Sequence, residues 1–255
     1  MKKILIKLIK NGPLDILYRW PKKLKLQRSV ESISPESHDF YSTLIKRGDL
    51  VFDVGANYGN RSRVFKKLGA STVAFEPQAT CFDFLKSYFW GDSLVHIEKV
   101  ASAASEGTAR MRISKNSVLS TLSEEYIQKN LESGRFSQDS WEGEEIVRVS
   151  TLDFFIKKYG CPKFIKIDVE GFEAEVVRGL TKPVEMLSLE FSTDTKATLI
   201  DALAHLNKLG NYLFQFSPEE SFQLSPHGWI ELSVLVKQLN SFTGLEWGDV
   251  YCKKI

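Results

Sequence analysis

Acidic residues at the ends of predicted strands are the side chains of this sequence best placed to do chemistry. Each follows a run of apolar residues typical of a buried strand; they are Asp53, Glu76, Asp168 and Glu190. In a doubly wound sheet, ligands bind at the carboxyl ends of the parallel strands, so we expect these carboxyls to face one crevice. Taken singly, each could equally cap a helix or form a surface ion pair. As a set, they predict a polar binding site.

A glycine-containing turn follows the first of these strands, in Val51-Phe-Asp-Val-Gly-Ala-Asn-Tyr-Gly59. Gly55 and Gly59 allow a sharp turn and a close approach of the backbone to a ligand. Asn57 tolerates a positive φ and adds an amide. A basic helix is predicted over residues 60–68, so the segment has the form of the first βα unit of a doubly wound fold. The alternative is an ordinary βα turn without a ligand.

The acid after the second predicted strand indicates which class of ligand the site binds. Glu76 lies 23 residues beyond Asp53, and an acid at about this distance accepts hydrogen bonds from ribose hydroxyls. This indicates an adenosine without a 2′-phosphate, and leaves NAD and S-adenosylmethionine open. The turn lacks the G-x-G-x-x-G spacing that serves a diphosphate, and the chain has no G-x-x-x-x-G-K-[ST] loop. Asp53 also suits a cation better than a diphosphate, which favours S-adenosylmethionine.

Three motifs together are characteristic of a family: Asp53-Val-Gly-Ala-Asn-Tyr-Gly59, Phe75-Glu-Pro77 and Ile165-Lys-Ile-Asp-Val-Glu-Gly-Phe-Glu173. They resemble the FkbM family of S-adenosylmethionine-dependent methyltransferases. The third is the most specific, and the resemblance extends over residues 36–191. It implies a class I methyltransferase fold, which is α/β, Rossmann-like and doubly wound, with a mostly parallel seven-stranded sheet and an antiparallel last strand. Characterised members of the family methylate hydroxyl oxygens, commonly on sugars and natural products.

The resemblance also assigns roles to single residues. Those that match cofactor-binding positions are Asp53, Gly55, Asn57, Gly59, Glu76, Ala101, Ser102 and Asp168. Among them Glu76 is the ribose-binding acid, and Ala101 and Ser102 fall where such folds line the adenine pocket. Asp168 stands beside the expected position of the methyl group. Glu36 lies in the helix before the first strand, where an acid often occurs in the family.

Methyl transfer to an alcohol requires positioning and the removal of a proton. Asp168 and Glu170 are the predicted catalytic residues. Together with Glu190 they could instead bind a divalent metal such as magnesium, which prefers oxygen ligands. The alternative is that Asp168 orients backbone or cofactor, and that Glu170 and Glu173 cap the next helix.

No histidine is a convincing base in this pattern. His96 and His205 lie inside a predicted strand and a predicted helix, which indicates structural roles, and His38 precedes the first strand. His227, in a Pro-His-Gly loop, could reach a substrate.

The apolar pattern places the remaining elements. Strands are predicted over residues 72–76, 94–100, 108–113, 146–150, 164–168, 185–191, 212–216 and 247–253, and helices over residues 34–47, 80–90, 152–159, 170–178 and 195–209. The strands at 108–113 and 247–253 are expected at sheet edges. Residues 229–239 fit either a helix or a strand.

Length and composition predict one soluble domain. The chain has 255 residues, of which 43% are hydrophobic and 26% charged, and a net charge of +2, too small to favour nucleic acid. Without a domain-splitting linker, residues 31–255 are predicted to form a single methyltransferase domain. Residues 114–145 are predicted to form a lid or insertion within it, with one short helix near residues 124–131. The substrate-facing residues expected in the lid are Ser120, Thr121 and Trp141.

Residues 1–30 form a basic N-terminal arm. Its apolar run is too short for a signal peptide or a spanning helix. The arm either lies on an anionic membrane surface or is poorly ordered or docked on the core. The three cysteines show neither zinc nor pairing spacing, which indicates a reducing compartment. We therefore expect a cytoplasmic protein, with peripheral membrane contact as the alternative.

Residues and resemblance together predict an S-adenosylmethionine-dependent O-methyltransferase acting on a hydroxyl of a sugar, glycan or related small molecule. One rival is a non-catalytic methyltransferase-like binding module, which the absence of an obvious base keeps open. The other is an NAD-dependent oxidoreductase, which the form of the turn disfavours. The sequence leaves the acceptor, the metal and the oligomeric state open.

Overall fold

A computed structural model describes residues 33–226 and 228–255. The predicted basic arm, residues 1–30, and His227 therefore lie outside the described residues. The contacts of Glu36–Ile255 gather into one unit.

The main sheet has seven strands. They are β1 (Leu50–Val54), β2 (Ser71–Phe75), β3 (Val95–Glu98), β7 (Phe164–Ile167), β8 (Met186–Ser192), β9 (Tyr212–Pro218) and β10 (Trp247–Lys254). Their order is β3-β2-β1-β7-β8-β10-β9. All neighbours are parallel except β10, which is antiparallel to both β8 and β9. This confirms the predicted fold, a mostly parallel seven-stranded sheet with an antiparallel last strand.

The prediction that the last strand lies at an edge is wrong. β10 pairs with a neighbour on both sides. Its central residues Val250, Tyr251 and Cys252 are each at most 1% exposed, so both faces of the strand are covered. Burial on both faces is the mark of an interior strand.

A second sheet was not expected. It contains β4 (Ala101–Ser102), β5 (Gly107–Ile113) and β6 (Gly143–Ser150) in the order β4-β6-β5. The segment predicted as an edge strand of the main sheet, residues 108–113, thus belongs to a separate sheet. One face packs Met111, Val147 and Val149 into a small core. β5 and β6 bury side chains on one face, as an edge strand of the main sheet would also do, so the sequence pattern did not reveal which sheet they join.

Eight α-helices occur in the described part of the chain. They are α1 (Pro35–Ser42), α2 (Asn60–Lys67), α3 (Ala79–Tyr88), α4 (Glu124–Ser133), α5 (Leu152–Tyr159), α6 (Glu173–Arg178), α7 (Lys196–Leu209) and α8 (Leu232–Ser241). The helix α1 ends five residues before the predicted 47. There the Thr43 hydroxyl donates to the carbonyl of Phe40 at 2.7 Å, a local bond that competes with further helix. The ambiguous segment 229–239 is resolved as helix α8.

The lid between β5 and β6 is ordered around its own small core. It contains a 3₁₀ turn, Ser117–Leu119, and the helix α4. Leu119, Tyr126, Ile127 and Trp141 pack together there. The indole nitrogen of Trp141 donates to the carbonyl of Leu119 at 2.6 Å. Trp141 therefore stabilises the lid, and the expectation that it faces a substrate is wrong.

Candidate active site

A cavity of about 290 Å³ lies along the carboxyl-terminal ends of the parallel strands. Three of the four predicted strand-end acids line it: Glu76, Asp168 and Glu190. Asp53 does not line it. This is the edge at which doubly wound sheets bind their ligands, so the predicted crevice exists.

Glu76 organises the turn after β1. Its two carboxylate oxygens accept hydrogen bonds from the backbone N–H groups of Asn57 and Gln78, each at 2.7 Å. The side chain is almost fully buried, and burial raises its pKa to about 7 although both hydrogen bonds oppose the shift. Each carboxylate oxygen keeps a second lone pair. Glu76 can therefore accept a ribose hydroxyl while it holds the turn.

Asp53 lies behind the turn. It is 1% exposed, and the hydroxyl of Ser62 in α2 donates to its carboxylate at 2.5 Å. Burial raises the pKa of Asp53 to about 6. This hydrogen bond ties the end of β1 to α2, and the predicted contact of Asp53 with the cofactor stays a prediction.

The two glycines of the turn serve packing between elements. At Gly55, φ is +85° and an added Cβ would lie 1.8 Å from the carbonyl oxygen of Asp168. At Gly59, an added Cβ would lie 2.7 Å from the side chain of Leu85 in α3. Only Gly55 lines the cavity. Both glycines therefore allow a close approach between parts of the protein, and the approach of Gly55 to a cofactor stays a prediction.

We expect Gly55→Ala to destabilise the protein by ~3 kcal/mol or more, because the carbonyl of Asp168 is rigid backbone that cannot move away. Gly91→Ala is the matched control. Gly91 has a similar φ of +75° with nothing within 4 Å, so it should show only the conformational cost of about 1–2 kcal/mol. Denaturant unfolding measures both. Equal losses would contradict the steric explanation.

Ala101 and Ser102 line the end of the cavity nearest β2 and β3. Ser102 is 2% exposed and its hydroxyl has no hydrogen-bond partner among the described residues. Buried polar atoms are normally paired, but the oxygen of this hydroxyl is covered by protein, so it is an unpaired group behind the cavity wall. Gln78 closes this end by donating from its side chain to the carbonyl of Ser117 in the lid at 3.0 Å. These residues fit an adenine ring.

Three carboxyl groups converge in the middle of the cavity. Oxygens of Asp168, Glu170 and Glu190 all lie within 4.8 Å of one another. Glu170 has a positive φ of 54°, and the hydroxyl of Tyr126 donates to its carboxylate. Burial and the nearby Asp168 raise the pKa of Glu170 to about 8. Burial and Glu170 likewise raise the pKa of Glu190.

Glu173 does not line the cavity, but it binds the backbone on both sides of Glu170. Its carboxylate accepts hydrogen bonds from the N–H groups of Val169 and Gly171, each at 3.2 Å. Gly171 has φ +85°, and an added Cβ would lie 2.7 Å from the Cβ and 2.8 Å from the ring atom Cδ2 of Tyr126. The expectation that Glu170 begins a helix is wrong, because α6 begins at Glu173. The motif after β7 is a tight turn that presents Glu170.

Two cations of the site, Lys166 and Arg61, were not predicted from the sequence. Lys166 is 1% exposed, and its ammonium lies 2.7 Å from Asp249 and 3.3 Å from Asp168. Although burial lowers it, the pKa of Lys166 is raised well above its ordinary value by Asp168 and Asp249. Arg61 pairs with Glu220 at 2.6 Å. A lysine inside the apolar run Phe-Ile-Lys-Ile was the signal, since buried lysines are almost always paired.

Of the remaining predicted site residues, some line the cavity and others lie elsewhere in the fold. Asn57, Ser120 and Thr121 line the cavity. The Thr121 hydroxyl donates to the carbonyl of Glu170 at 2.7 Å and so ties the lid to the acid cluster. Glu36 is exposed on α1 and lines no part of the cavity.

The described histidines also lie outside the cavity lining. His205 contacts the carbonyl of Leu180 at 3.2 Å, and the ring of His96 lies 5.7 Å from that of Tyr159. His38 lies beside Asp39 on α1. These contacts are structural.

The strand order, the antiparallel β10 and the glycine turn with its strand-end acid define a class I methyltransferase. A model of the methyltransferase FkbM domain matches residues 53–212. The chain belongs to the FkbM methyltransferase family and is a methyltransferase, and S-adenosylmethionine is the methyl donor that family and fold imply. The residues around Glu76 and Ser102 fit that cofactor.

Comparison with solved structures gives distant matches. One is precorrin-6y C5,15-methyltransferase from Geobacter metallireducens, with 10% identity, TM-score 0.46, and 88% and 92% of the two chains covered. Another is a TehB-like SAM-dependent methyltransferase from Corynebacterium glutamicum, with 12% identity, TM-score 0.46, and 93% and 97% covered. A SAM-dependent O-methyltransferase from Thermotoga maritima has 13% identity, TM-score 0.40, and 88% and 66% covered. Comparison with curated proteins gave no match.

Proposed function

We propose that this methyltransferase transfers the methyl group of S-adenosylmethionine to a hydroxyl of a sugar, glycan or related small molecule. The observation that carries the proposal is the convergence of Asp168, Glu170 and Glu190 within one cavity, next to the turn held by Glu76. An alcohol must lose a proton as it is methylated. The described part of the cavity wall offers carboxylates and no histidine for this task.

In this proposal each of the following residues has its own role. Glu76 accepts the ribose hydroxyls, and Ala101 and Ser102 surround the adenine. When bound, S-adenosylmethionine supplies an electrophilic methyl group on a sulfonium. Glu170 takes the proton of the acceptor hydroxyl, and Asp168 orients the reacting groups, so that positioning supplies much of the rate.

Glu170 has two features of a general base. Its pKa of about 8 lies just above neutral pH, so about a tenth of the groups are ionised at pH 7, and the ionised form accepts a proton more readily than an ordinary carboxylate. The hydroxyl of Tyr126 and the Thr121 contact fix its side chain and backbone. A fixed base needs little reorganisation in the transition state.

The same three carboxyls offer oxygen ligands for a divalent metal such as magnesium. The effect of a chelator distinguishes proton removal by Glu170 from a metal bound by the three carboxyl groups. If Glu170 alone removes the proton, activity survives treatment with a chelator; loss of activity that magnesium restores would favour the metal.

For Asp168→Asn we expect turnover to fall by ~100-fold or more while S-adenosylmethionine affinity is largely kept. The amide keeps the size of the side chain but loses the charge that lies 3.3 Å from Lys166. Calorimetry gives the affinity and methyl transfer gives the turnover. Full activity would remove Asp168 from the catalytic residues.

The proposal is tested by methyl transfer from labelled cofactor to a panel of sugars, glycans and lipid-linked sugars. Calorimetry with S-adenosylmethionine and NADH separates the rivals. Binding of NADH alone would favour an oxidoreductase, and binding of S-adenosylmethionine without transfer to any acceptor would favour a binding module.

We also propose that residues 31–255 act as a single methyltransferase domain with a lid at 114–145, and that nucleic acid is not the substrate. No helix among the described residues is both long and apolar enough to cross a bilayer. A cytoplasmic location, with the arm at residues 1–30 touching an anionic membrane, remains our proposal. Binding of the full chain to anionic vesicles, compared with a chain lacking the arm, tests the membrane contact.

A further inference from the structure

One cation of the cavity has no role in the proposed reaction. Arg61 is the second residue of α2 and lines the cavity. Lys166, the other basic residue of the described lining, is 1% exposed and already lies between Asp168 and Asp249. The side chain of Arg61 is 18% exposed. Arg61 is therefore the cation of the described wall that a ligand can reach.

The guanidinium of Arg61 is held in place but only partly used. Its Nη2 donates to the carboxylate of Glu220 at 2.6 Å, and its Cζ lies 4.9 Å from the centre of the Phe222 ring. A guanidinium carries five N–H donors. Among the described residues Glu220 alone accepts from it, and the side chain of Glu220 is 63% exposed. The remaining donors can bind a second carboxylate in the paired geometry that arginine favours.

The turn after β1 leads from the residue proposed to bind the ribose to Arg61. Glu76 accepts the N–H of Asn57 in this turn at 2.7 Å, and Arg61 follows four positions after Asn57. The start of the same turn lies beside the acid cluster, because the N–H of Asp168 donates to the carbonyl of Val54 at 3.0 Å. A ligand that begins at Glu76 and follows the turn therefore meets Arg61 and Asp168 in one cavity wall.

The amino-acid end of S-adenosylmethionine matches these two charges. It carries a carboxylate and an ammonium group on one carbon, and an α-carboxyl group is ionised at neutral pH. The guanidinium of Arg61 also keeps its charge, so the contact with the carboxylate is a charge-assisted hydrogen bond. Asp168 can accept from the ammonium group.

We propose that Arg61 binds the carboxylate of S-adenosylmethionine and makes the site specific for cofactors that keep this group. The inference rests on the proposed function, which places the ribose at Glu76. Arg61 is a specificity-determining residue, because an adenosine compound without the carboxylate leaves its free N–H donors without an acceptor.

Three matched probes test the assignment: S-adenosylmethionine, its decarboxylated form and methylthioadenosine. The decarboxylated form lacks the carboxylate alone, whereas methylthioadenosine lacks the amino-acid chain and the sulfonium charge. Isothermal calorimetry measures each affinity. In Arg61→Ala we expect S-adenosylmethionine to bind ~10-fold or more weakly, the usual contribution of a hydrogen bond between charged groups, while the affinities of the other two probes change by less than ~3-fold. An equal loss for all three, or no loss for S-adenosylmethionine, overturns the proposal.

Glu220→Gln separates the cation from its ion pair. It removes the charge that faces Arg61 and leaves the guanidinium in place, so S-adenosylmethionine should bind at least as tightly as to the wild type. If Glu220→Gln weakens binding as much as Arg61→Ala does, Arg61 acts by holding the loop after β9, and its role as a carboxylate ligand is wrong.

Lys67→Ala is the matched control for charge. Lys67 is exposed on the same helix and does not line the cavity. Its loss should leave all three affinities within ~3-fold, because water and salt screen a distant exposed charge. A loss for S-adenosylmethionine comparable to that in Arg61→Ala would reflect the overall charge of α2 and would contradict a direct contact.

Arg61→Gln keeps the test decisive if Arg61→Ala does not fold. Glutamine retains part of the side chain beside Phe222 and removes the charge, so it should show the same selective loss of S-adenosylmethionine. The result is separable from failure of the proposed function. If the wild type binds none of the three probes, the cofactor assignment fails. If Arg61→Gln binds S-adenosylmethionine as tightly as the wild type does, the cofactor assignment stands and the role of Arg61 is wrong.

Discussion

Replacing Glu76 by alanine should weaken S-adenosylmethionine binding by ~100-fold or more. Two contributions add. The ribose loses hydrogen bonds to a charged acceptor, worth about 1.5–3 kcal/mol each. The N–H groups of Asn57 and Gln78, each 2.7 Å from the carboxylate, lose their partner as well, so the turn itself is less well fixed. Isothermal calorimetry with S-adenosylmethionine measures the affinity.

Glu76→Gln should be nearly as harmful, which is unusual for so small a change. Both carboxylate oxygens accept from backbone N–H donors. The amide has a single oxygen, so its NH₂ group must face one of these donors. If glutamine binds the cofactor like the wild type, the carboxylate is not needed at this position.

The matched control is Glu98→Ala. Glu98 ends the neighbouring strand β3 and lies beside Phe75 in the pairing of β2 with β3, but it does not line the cavity. Its carboxylate receives hydrogen bonds from Lys158 and Tyr159. We expect its loss to leave cofactor affinity unchanged within ~3-fold. A similar fall in both variants would indicate a general loss of structure at this sheet edge.

The difference between Glu76 and Asp53 shows how far the sequence carries a site prediction. Both are acids at the end of an apolar strand, and both could be placed at the binding edge of the sheet because parallel strands share that edge. Which of them reaches the cavity depends on how far along the strand each one stands. Asp53 lies within β1, opposite Ala74, whereas Glu76 lies one residue beyond the end of β2. Asp53 is bound by Ser62 of the following helix, a contact that is decided by how α2 packs. Strand pattern alone does not contain that information.

The lid illustrates a second limit. Its short helix could be predicted from residues 124–131, because amphipathic spacing is local. The contacts that matter to the site join distant parts of the chain: Tyr126 reaches Glu170, 44 residues away, and Gln78 reaches Ser117, 39 residues away. Trp141 was expected to face a substrate because an indole face suits a sugar. It is buried instead, because the lid is large enough to form its own core.

The ion pair of Lys166 was not predicted for the same reason, because it joins residues that are far apart in the sequence. Lys166 was visible as a charged residue in an apolar strand, but its partner Asp249 lies 83 residues away on β10. The pair forms because β10 lies two strands away from β7 in the sheet, which brings Asp249 close to Lys166. The sequence pattern placed β10 at an edge of the sheet, which gave no reason to search for the contact.

Replacing Glu170 by glutamine should lower kcat by ~100-fold or more, the ordinary contribution of a general base, and leave S-adenosylmethionine affinity largely unchanged. The pH dependence of kcat/KM tests the role of a base more directly than the loss of rate does. Because a base must be ionised, wild-type kcat/KM should fall as the pH drops below the pKa of Glu170, which is about 8 in the free enzyme. In Glu170→Gln this limb should be lost, since the amide does not titrate.

Tyr126→Phe is the control that separates a base from a merely structural carboxyl. The phenol donates a hydrogen bond to the Glu170 carboxylate and lowers its pKa, so removing it favours the protonated form. The acid limb of the pH profile should therefore move to higher pH while the plateau rate at high pH is largely kept. A structural role for Glu170 predicts a uniform loss of rate at every pH. If the limb does not move in Tyr126→Phe, or survives in Glu170→Gln, the proton is removed by another group.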